Sequence, residues 1–130
     1  MQTAEALGLN AVPLLALRDC DYGMWCGRAY DDVVEREPGA IAEWLRDPSS
    51  APHGGETLQS LIQRVGEWLA GENVLRRQTI VVTHASVIRA AIVHAIEAEL
   101  PSFWRIDIAP LSMTRLTGDG ARWNLTGIEG

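Results

Sequence analysis

The sequence predicts a single α/β domain, and three features support this fold class. Residues 80–82, Ile-Val-Val, form a short β-branched run that suits a buried strand. Apolar residues recur at helical spacing directly after this run and in two earlier segments. Two segments near the end of the sequence alternate well enough to form a hairpin. Strands that alternate with helices are typical of α/β domains, and 130 residues suffice for one modest core.

The first part of the sequence predicts little regular structure. Residues 2–9 have the pattern of a helix end, with Gly8 as the stop signal. Residues 12–17 can form a short strand, which Pro13 confines to a sheet edge or to its own first residues. Residues 18–27 form a glycine-punctuated loop with two acidic and two aromatic residues. This loop is either functional or packed down by Tyr22 and Trp25.

Two amphipathic helices follow. The first covers residues 38–46, with Ile41, Trp44 and Leu45 facing inward. Residues 47–55 form a loop rich in proline and glycine. The second helix covers residues 56–70, capped by Thr57 or by the glycine before Glu56. Its buried stripe consists of apolar residues at helical spacing: Leu58, Leu61, Ile62, Val65, Trp68 and Leu69.

His84 stands where the buried strand of residues 80–82 becomes the third helix. Open α/β sheets bind their ligands at the carboxyl edge of the strands, and a helix N-terminus there favours anions. The alternative is a histidine that only caps or packs the junction, and the spacing alone does not choose between the two. Beyond this helix, Leu100 and Pro101 mark a break, and Phe103 begins a short turn. Residues 111–117 and 121–126 form the two hairpin strands around a loop at residues 118–120.

Composition limits the partners that this protein can have. The net charge of −6 and the pI of about 4.9 oppose binding to nucleic acid and to anionic membranes. All eleven basic residues are arginines. Cys20 and Cys26 match no metal-binding spacing, so we predict reduced thiols and no metal site. No segment is long and apolar enough to span a bilayer and no signal peptide is evident, so we expect a cytoplasmic protein.

Several short segments occur in a recognisable order. They are Gln-Thr-Ala at 2–4, Leu-Arg-Asp-Cys-Asp-Tyr-Gly-Met-Trp-Cys-Gly at 17–27, Gly-Gly-Glu-Thr at 54–57, Arg-Val at 64–65, Val-Thr-His-Ala-Ser-Val-Ile-Arg at 82–89, and Pro-Leu-Ser-Met-Thr at 110–114 with Trp123. Together they resemble the histidine phosphatase superfamily, the phosphoglycerate mutase-like proteins. The resemblance implies an α/β, three-layer domain with a mixed sheet. It also implies hydrolysis or transfer of a small phosphate monoester, with no metal or organic cofactor.

The resemblance also implies roles for individual residues. His84 is similar to the second histidine of the family, which hydrogen-bonds the phosphoryl oxygens. Asp19 lies where the family usually has a glutamate that protonates the leaving oxygen. These two residues are the catalytic candidates. The ligand-binding candidates are Ala85, which replaces the usual glycine, together with Tyr22 and His53; a loop anchor is the alternative role for Tyr22.

The departures from the family pattern concern the nucleophile. The family's Arg-His-Gly motif and its second phosphate-binding arginine do not occur in the 130 residues. We therefore expect an N-terminally truncated domain that lacks the family's first two strands and the phosphohistidine route. A homo-oligomer, most simply a homodimer, would complete the sheet. Two alternatives stay open: an interaction module that binds a small anionic ligand or a partner, and new acid/base chemistry that uses His84 and Asp19.

Overall fold

The computed structural model describes residues 15–71, 81–118 and 122–129. Within these ranges, three short 3-10 helices cover Leu15–Leu17, Gly23–Trp25 and Leu100–Arg105. In the same ranges the α-helices are α1 (Tyr30–Arg36), α2 (Pro38–Arg46), α3 (Leu58–Leu69) and α4 (Ala85–Ala95), and the strands are β1 (Met113–Gly118) and β2 (Trp123–Glu129). None of the helices in these ranges is both long enough and apolar enough to cross a bilayer.

Helices α3 and α4 pack against each other and form the centre of the core. Both present a stripe of residues at helical spacing, and burial of that stripe is what stabilises a helix in a small domain. Leu58 and Leu61 on α3 and Ala90 and Val93 on α4 are at most 1% exposed. Phe103, on the 3-10 helix after α4, closes the same cluster. The packing of α4 into this core therefore fixes the position of His84, the residue directly before α4.

Strands β1 and β2 form an antiparallel hairpin that packs beside α4. The register runs from Met113 opposite Glu129 to Gly118 opposite Trp123, with one irregularity after Arg115. The predicted hairpin is confirmed, although its second strand begins and ends later than expected. The predicted loop at residues 118–120 lies largely outside the described residues.

The helix predictions are confirmed. Helix α2 has the predicted bounds, α3 is two residues shorter at its start than predicted, and α4 starts directly after His84. Thr57 caps α3, because its Oγ1 accepts a hydrogen bond of 3.0 Å from the backbone N–H of Ser60. The α/β fold class that the sequence predicts agrees with this structure.

Several local predictions were wrong. Leu15–Leu17 is a 3-10 helix rather than the end of a strand. Leu45 is 40% exposed, because the buried face of α2 contains Ile41 and Trp44 and leaves Leu45 at its edge. Helix α1 was not predicted, since only Val33 in it is buried and its surface is dominated by charge. Val81 and Val82 are not in a strand, while Ile80 and the segments at 2–9 and 12–14 lie outside the described residues.

Candidate functional site

The structure brings together the two residues that the sequence suggested as catalytic. His84 occupies the N-cap position of α4, where its backbone carbonyl accepts hydrogen bonds of 3.1 Å from Val87 and Ile88. Its Nδ1 lies 3.6 Å from Oδ2 of Asp19. The two side chains are 60% and 42% exposed, so a ligand in solution can reach both of them. Since 65 positions separate the two residues, only the fold makes them neighbours.

Ser86 is part of the same cluster, and sequence reasoning missed it. Its Oγ–H donates to Oδ1 of Asp19 at 2.5 Å, and the backbone N–H of Cys20 donates to the same oxygen at 2.7 Å. Ser86 is only 5% exposed, and its side chain also hydrogen-bonds the hydroxyl of Tyr22. The available signal was a hydroxyl in the first turn of a helix, two residues after the candidate histidine.

The backbone that carries Asp19 is held from two directions. Arg64 on α3 donates from Nη1 to the carbonyl oxygens of Ala16, at 2.8 Å, and Arg18, at 2.9 Å. Thr83, the residue before His84, donates from Oγ1 to the carbonyl oxygen of Leu17 at 2.9 Å. We call residues 16–19 the acidic segment. These bonds fix the acidic segment against α3 and against the start of α4.

Glu56 orients the arginine that holds the acidic segment. Its two carboxylate oxygens accept hydrogen bonds of 2.9 and 2.8 Å from Nε and Nη2 of Arg64. The side chains of Arg64 and Glu56 are only 13% and 9% exposed. A bidentate pair of this kind is planar and directional, so the guanidinium can present its remaining nitrogen to the carbonyl groups.

His53 lies in the core and not in the exposed cluster around His84. It is 0% exposed, and its Nδ1 accepts a hydrogen bond of 2.9 Å from the backbone N–H of Gly55. Its ring packs edge-to-face against Trp25 and Trp44, with centroid distances of 4.9 and 4.6 Å. Burial lowers the pKa of His53, so its imidazole is neutral near pH 7. In this arrangement the residue joins the loop that carries Trp25 to the loop before α3, since the backbone N–H of Met24 also donates to its carbonyl oxygen at 2.8 Å.

The other two ligand-binding candidates, Ala85 and Tyr22, lie beside the pair of His84 and Asp19. Ala85 is the first residue of α4 and follows His84 directly. Tyr22 is half-buried and stands edge-on to His53, at 6.1 Å between ring centroids, while its hydroxyl reaches Ser86. Tyr22 therefore connects the buried aromatic residues to the exposed cluster, which fits both roles that the sequence left open for it.

Two groups near the pair stay protonated at ordinary pH. Burial, together with the nearby carboxylates of Glu56 and Asp19, raises the pKa of the Cys20 thiol to about 12. Burial also raises the pKa of Tyr22 to about 12, with Cys20 and Asp19 adding to the effect. The Tyr22 hydroxyl is therefore a hydrogen-bond donor, and the thiol is a poor nucleophile. Within the described ranges, no group of three His, Cys, Asp or Glu side chains could hold a metal ion.

Comparison with known proteins identifies the class. The sequence matches the family model of the histidine phosphatase superfamily (branch 1) over residues 1–129, so this chain belongs to that superfamily. The structure is also similar to that of the mycobacterial glucosyl-3-phosphoglycerate phosphatase Rv2419c, with a TM-score of 0.74 and 25% identity. That match covers 95% of this chain and 67% of the other, and the same phosphatase is known in complex with inorganic phosphate.

Two curated relatives are similar in sequence. The bifunctional protein Rv2228c of Mycobacterium tuberculosis is 32% identical over 127 residues, which is 91% of this chain and 34% of that protein. Phosphoserine phosphatase 1 of Hydrogenobacter thermophilus is 30% identical over 109 residues, which is 80% of this chain and 51% of that enzyme. This chain therefore spans about a third of the first relative and about half of the second.

Proposed function

We propose that this chain binds the phosphoryl group of a small phosphate monoester at His84 and Asp19. The observation that carries the proposal is the exposed pair itself, with 3.6 Å between His84 Nδ1 and Asp19 Oδ2 at the N-terminus of α4. His84 would hydrogen-bond the phosphoryl oxygens, and Asp19 would protonate the oxygen of the leaving alcohol. The backbone N–H of Ala85 and the positive end of α4 would add to the attraction for the anion.

We further propose that these 130 residues alone do not follow the phosphohistidine route. The sequence contains no Arg-His-Gly motif, and covalent catalysis requires its nucleophile. Groups that only stabilise the transferring phosphoryl group do not replace that nucleophile. The expected behaviour of the 130-residue chain is phosphate binding without turnover. The substrate of a complete site would be a phosphate monoester, as for the phosphatases among the relatives.

Thermal unfolding with phosphate tests the binding site. Phosphate at one hundred times its dissociation constant should stabilise the wild-type chain by about 2.7 kcal/mol, since it binds the folded state. The increase in Tm should disappear in His84→Ala. His94→Ala is the matched control, because His94 is an exposed histidine on the same helix. Absence of any phosphate effect on the wild type would refute the proposal.

Assays of turnover test the second part. The wild type, His84→Ala and His94→Ala are incubated with p-nitrophenyl phosphate and a panel of sugar phosphates. We expect no phosphate release from any of them. Release that is lost only in His84→Ala would show that the 130 residues catalyse hydrolysis and that catalytic incompleteness is wrong. It would favour acid/base chemistry by His84 and Asp19 without a phosphoenzyme.

We also propose that the chain forms a homodimer. Ile96, the residue directly after α4, and Ile128 on β2 are each 50% exposed and line the same cavity beside the hairpin. Monomeric proteins usually avoid a concentration of such side chains on one face. A second copy packed on the hairpin would cover them. Sedimentation equilibrium of dilute protein should give twice the mass of the chain, and a stable folded monomer at all concentrations would contradict the proposal.

For the location we propose the cytoplasm. Both cysteines, Cys20 and Cys26, are free thiols, and disulfides are rare where thiols are kept reduced. Fractionation of cells that express the tagged protein should recover it with the cytoplasmic fraction. Recovery with the membrane or the culture medium would contradict this.

A further inference from the structure

We propose that Ser86 is a positioning residue that saturates one oxygen of Asp19, so that only the other oxygen, Oδ2, can carry a proton toward the ligand. The proposal deepens the proposed function, because it rests on Asp19 being the acid of the phosphate site. Ser86 itself would touch no ligand. It is 5% exposed and acts through the carboxyl group.

The two oxygens of Asp19 have different surroundings. Oδ1 accepts hydrogen bonds from the Ser86 hydroxyl, at 2.5 Å, and from the Cys20 backbone N–H, at 2.7 Å. A carboxylate oxygen offers about two acceptor positions, so both positions of Oδ1 are occupied. A proton on Oδ1 would displace one of these donors. Oδ2 faces the His84 ring across 3.6 Å, and a proton there would displace neither of these donors.

The Ser86 hydroxyl points to Asp19. A serine hydroxyl has one proton to donate, and here the proton goes to Oδ1 of Asp19. Burial raises the pKa of the neighbouring Tyr22 hydroxyl to about 12, so no tyrosine anion competes with Asp19 for the Ser86 proton near neutral pH.

This arrangement matters because a free aspartate carboxyl is symmetric. Rotation about its last side-chain bond exchanges the two oxygens, and rotation at χ1 swings the whole group away from His84. The Cys20 N–H belongs to the next residue along the chain and restricts the group only partly. Ser86 lies on α4, so its hydroxyl ties the carboxyl group to the helix that begins at His84.

The experiment measures the side-chain rotamer of Asp19 by NMR, in the 130-residue chain without ligand. Three-bond couplings from Asp19 Cγ to the backbone nitrogen and carbonyl carbon report whether χ1 has one value or is averaged. We expect values of a single rotamer in the wild type and averaged values in Ser86→Ala. Ser86→Thr should restore the wild-type couplings, because it keeps the hydroxyl group.

Ser49→Ala is the matched control. It removes a bond of the same kind, from Ser49 Oγ to Oδ1 of Asp47 at 2.7 Å, on an exposed loop. The control should leave the couplings of Asp19 unchanged. Unchanged couplings in Ser86→Ala would overturn the proposal. Averaged couplings in the wild type would overturn it as well, so the result does not depend on whether Ser86→Ala folds.

Titration of the same samples with inorganic phosphate separates this proposal from the proposed function. Chemical-shift changes at His84 in the wild type support phosphate binding, and their absence refutes the proposed function. The Asp19 couplings are measured without phosphate and decide the role of Ser86 on their own. The two proposals can therefore fail independently.

Discussion

Removal of the Arg64 side chain should destabilise the whole domain and the acidic segment in particular. Arg64 makes two hydrogen bonds to Glu56, of 2.9 and 2.8 Å, and two to the carbonyl groups of Ala16 and Arg18, of 2.8 and 2.9 Å. Only 13% of the Arg64 side chain and 9% of the Glu56 side chain are exposed. Arg64→Met would leave a nearly buried carboxylate without its partner.

The magnitude follows from this burial. Removal of one partner of a buried ion pair costs about 3–5 kcal/mol, chiefly because the other charge stays buried and unpaired. A domain of this size has a free energy of unfolding of about 5–15 kcal/mol, so Arg64→Met loses a large part of it. Arg64→Lys should cost less, because an ammonium group keeps the charge but not the bidentate geometry. The double variant Arg64→Met/Glu56→Leu should be more stable than Arg64→Met by about 1–3 kcal/mol, since it contains no unpaired charge.

Urea unfolding followed by circular dichroism measures these differences, provided that the dependence on urea is the same for all variants. Arg36→Met is the control, because the Arg36 side chain is 74% exposed and pairs with Asp32 at 2.9 Å on the surface of α1. Its cost should stay below about 1 kcal/mol. Arg64 does not have this role if Arg64→Met costs no more than Arg36→Met, or if the double variant is less stable than the single one.

Three other outcomes are expected. Gly55→Ala should cost about 1–3 kcal/mol in urea unfolding, because a Cβ there would overlap the backbone of the facing loop, whereas Gly39→Ala, with nothing within 4 Å, should cost nothing. Burial lowers the pKa of His53, so its contribution to the free energy of unfolding is complete above its ordinary pKa of 6.5. As the pH falls below 6.5, that contribution is lost by up to about 1.4 kcal/mol per pH unit. Urea unfolding at a series of pH values tests this, and the same dependence of unfolding free energy on pH in His53→Phe would contradict it. The exposed Cys26 should react with a thiol reagent in the native protein and the buried Cys20 only after unfolding, and two native reactive thiols would refute this.

The helices were predictable because their signals are local. Apolar spacing over residues 58–69 is dictated by burial of one helix face, and the capping hydroxyl of Thr57 stands directly before that stripe. The junction at His84 was predictable for the same reason, since the helical spacing begins just after it. The hairpin followed from alternation and turn residues. Each of these features depends on residues within a few positions of one another.

The missed features depend on contacts between distant parts of the sequence. The 3-10 helix at Leu15–Leu17 contains carbonyl groups that bond to Arg64 and Thr83, 48 and 66 positions further along, and no local pattern encodes those bonds. His53 looked like a loop residue because proline and glycine surround it. It is buried because Trp25 and Trp44 close around its ring. Serine is common at helix starts, so Ser86 became distinctive only once Asp19 lay within 2.5 Å of it.

The short side chain of Asp19 is the point at which fold and site depend on each other most closely. An aspartate reaches one methylene group less far than the glutamate that the family usually has at this position. Thr83 bonds to Leu17, two residues before Asp19, and is itself the neighbour of His84. One hydrogen bond of 2.9 Å thus ties together the two backbones that carry the pair. The distance of 3.6 Å between the imidazole and the carboxylate is then set by the backbone and by Ser86, and does not depend on a long side chain that must find its own conformation.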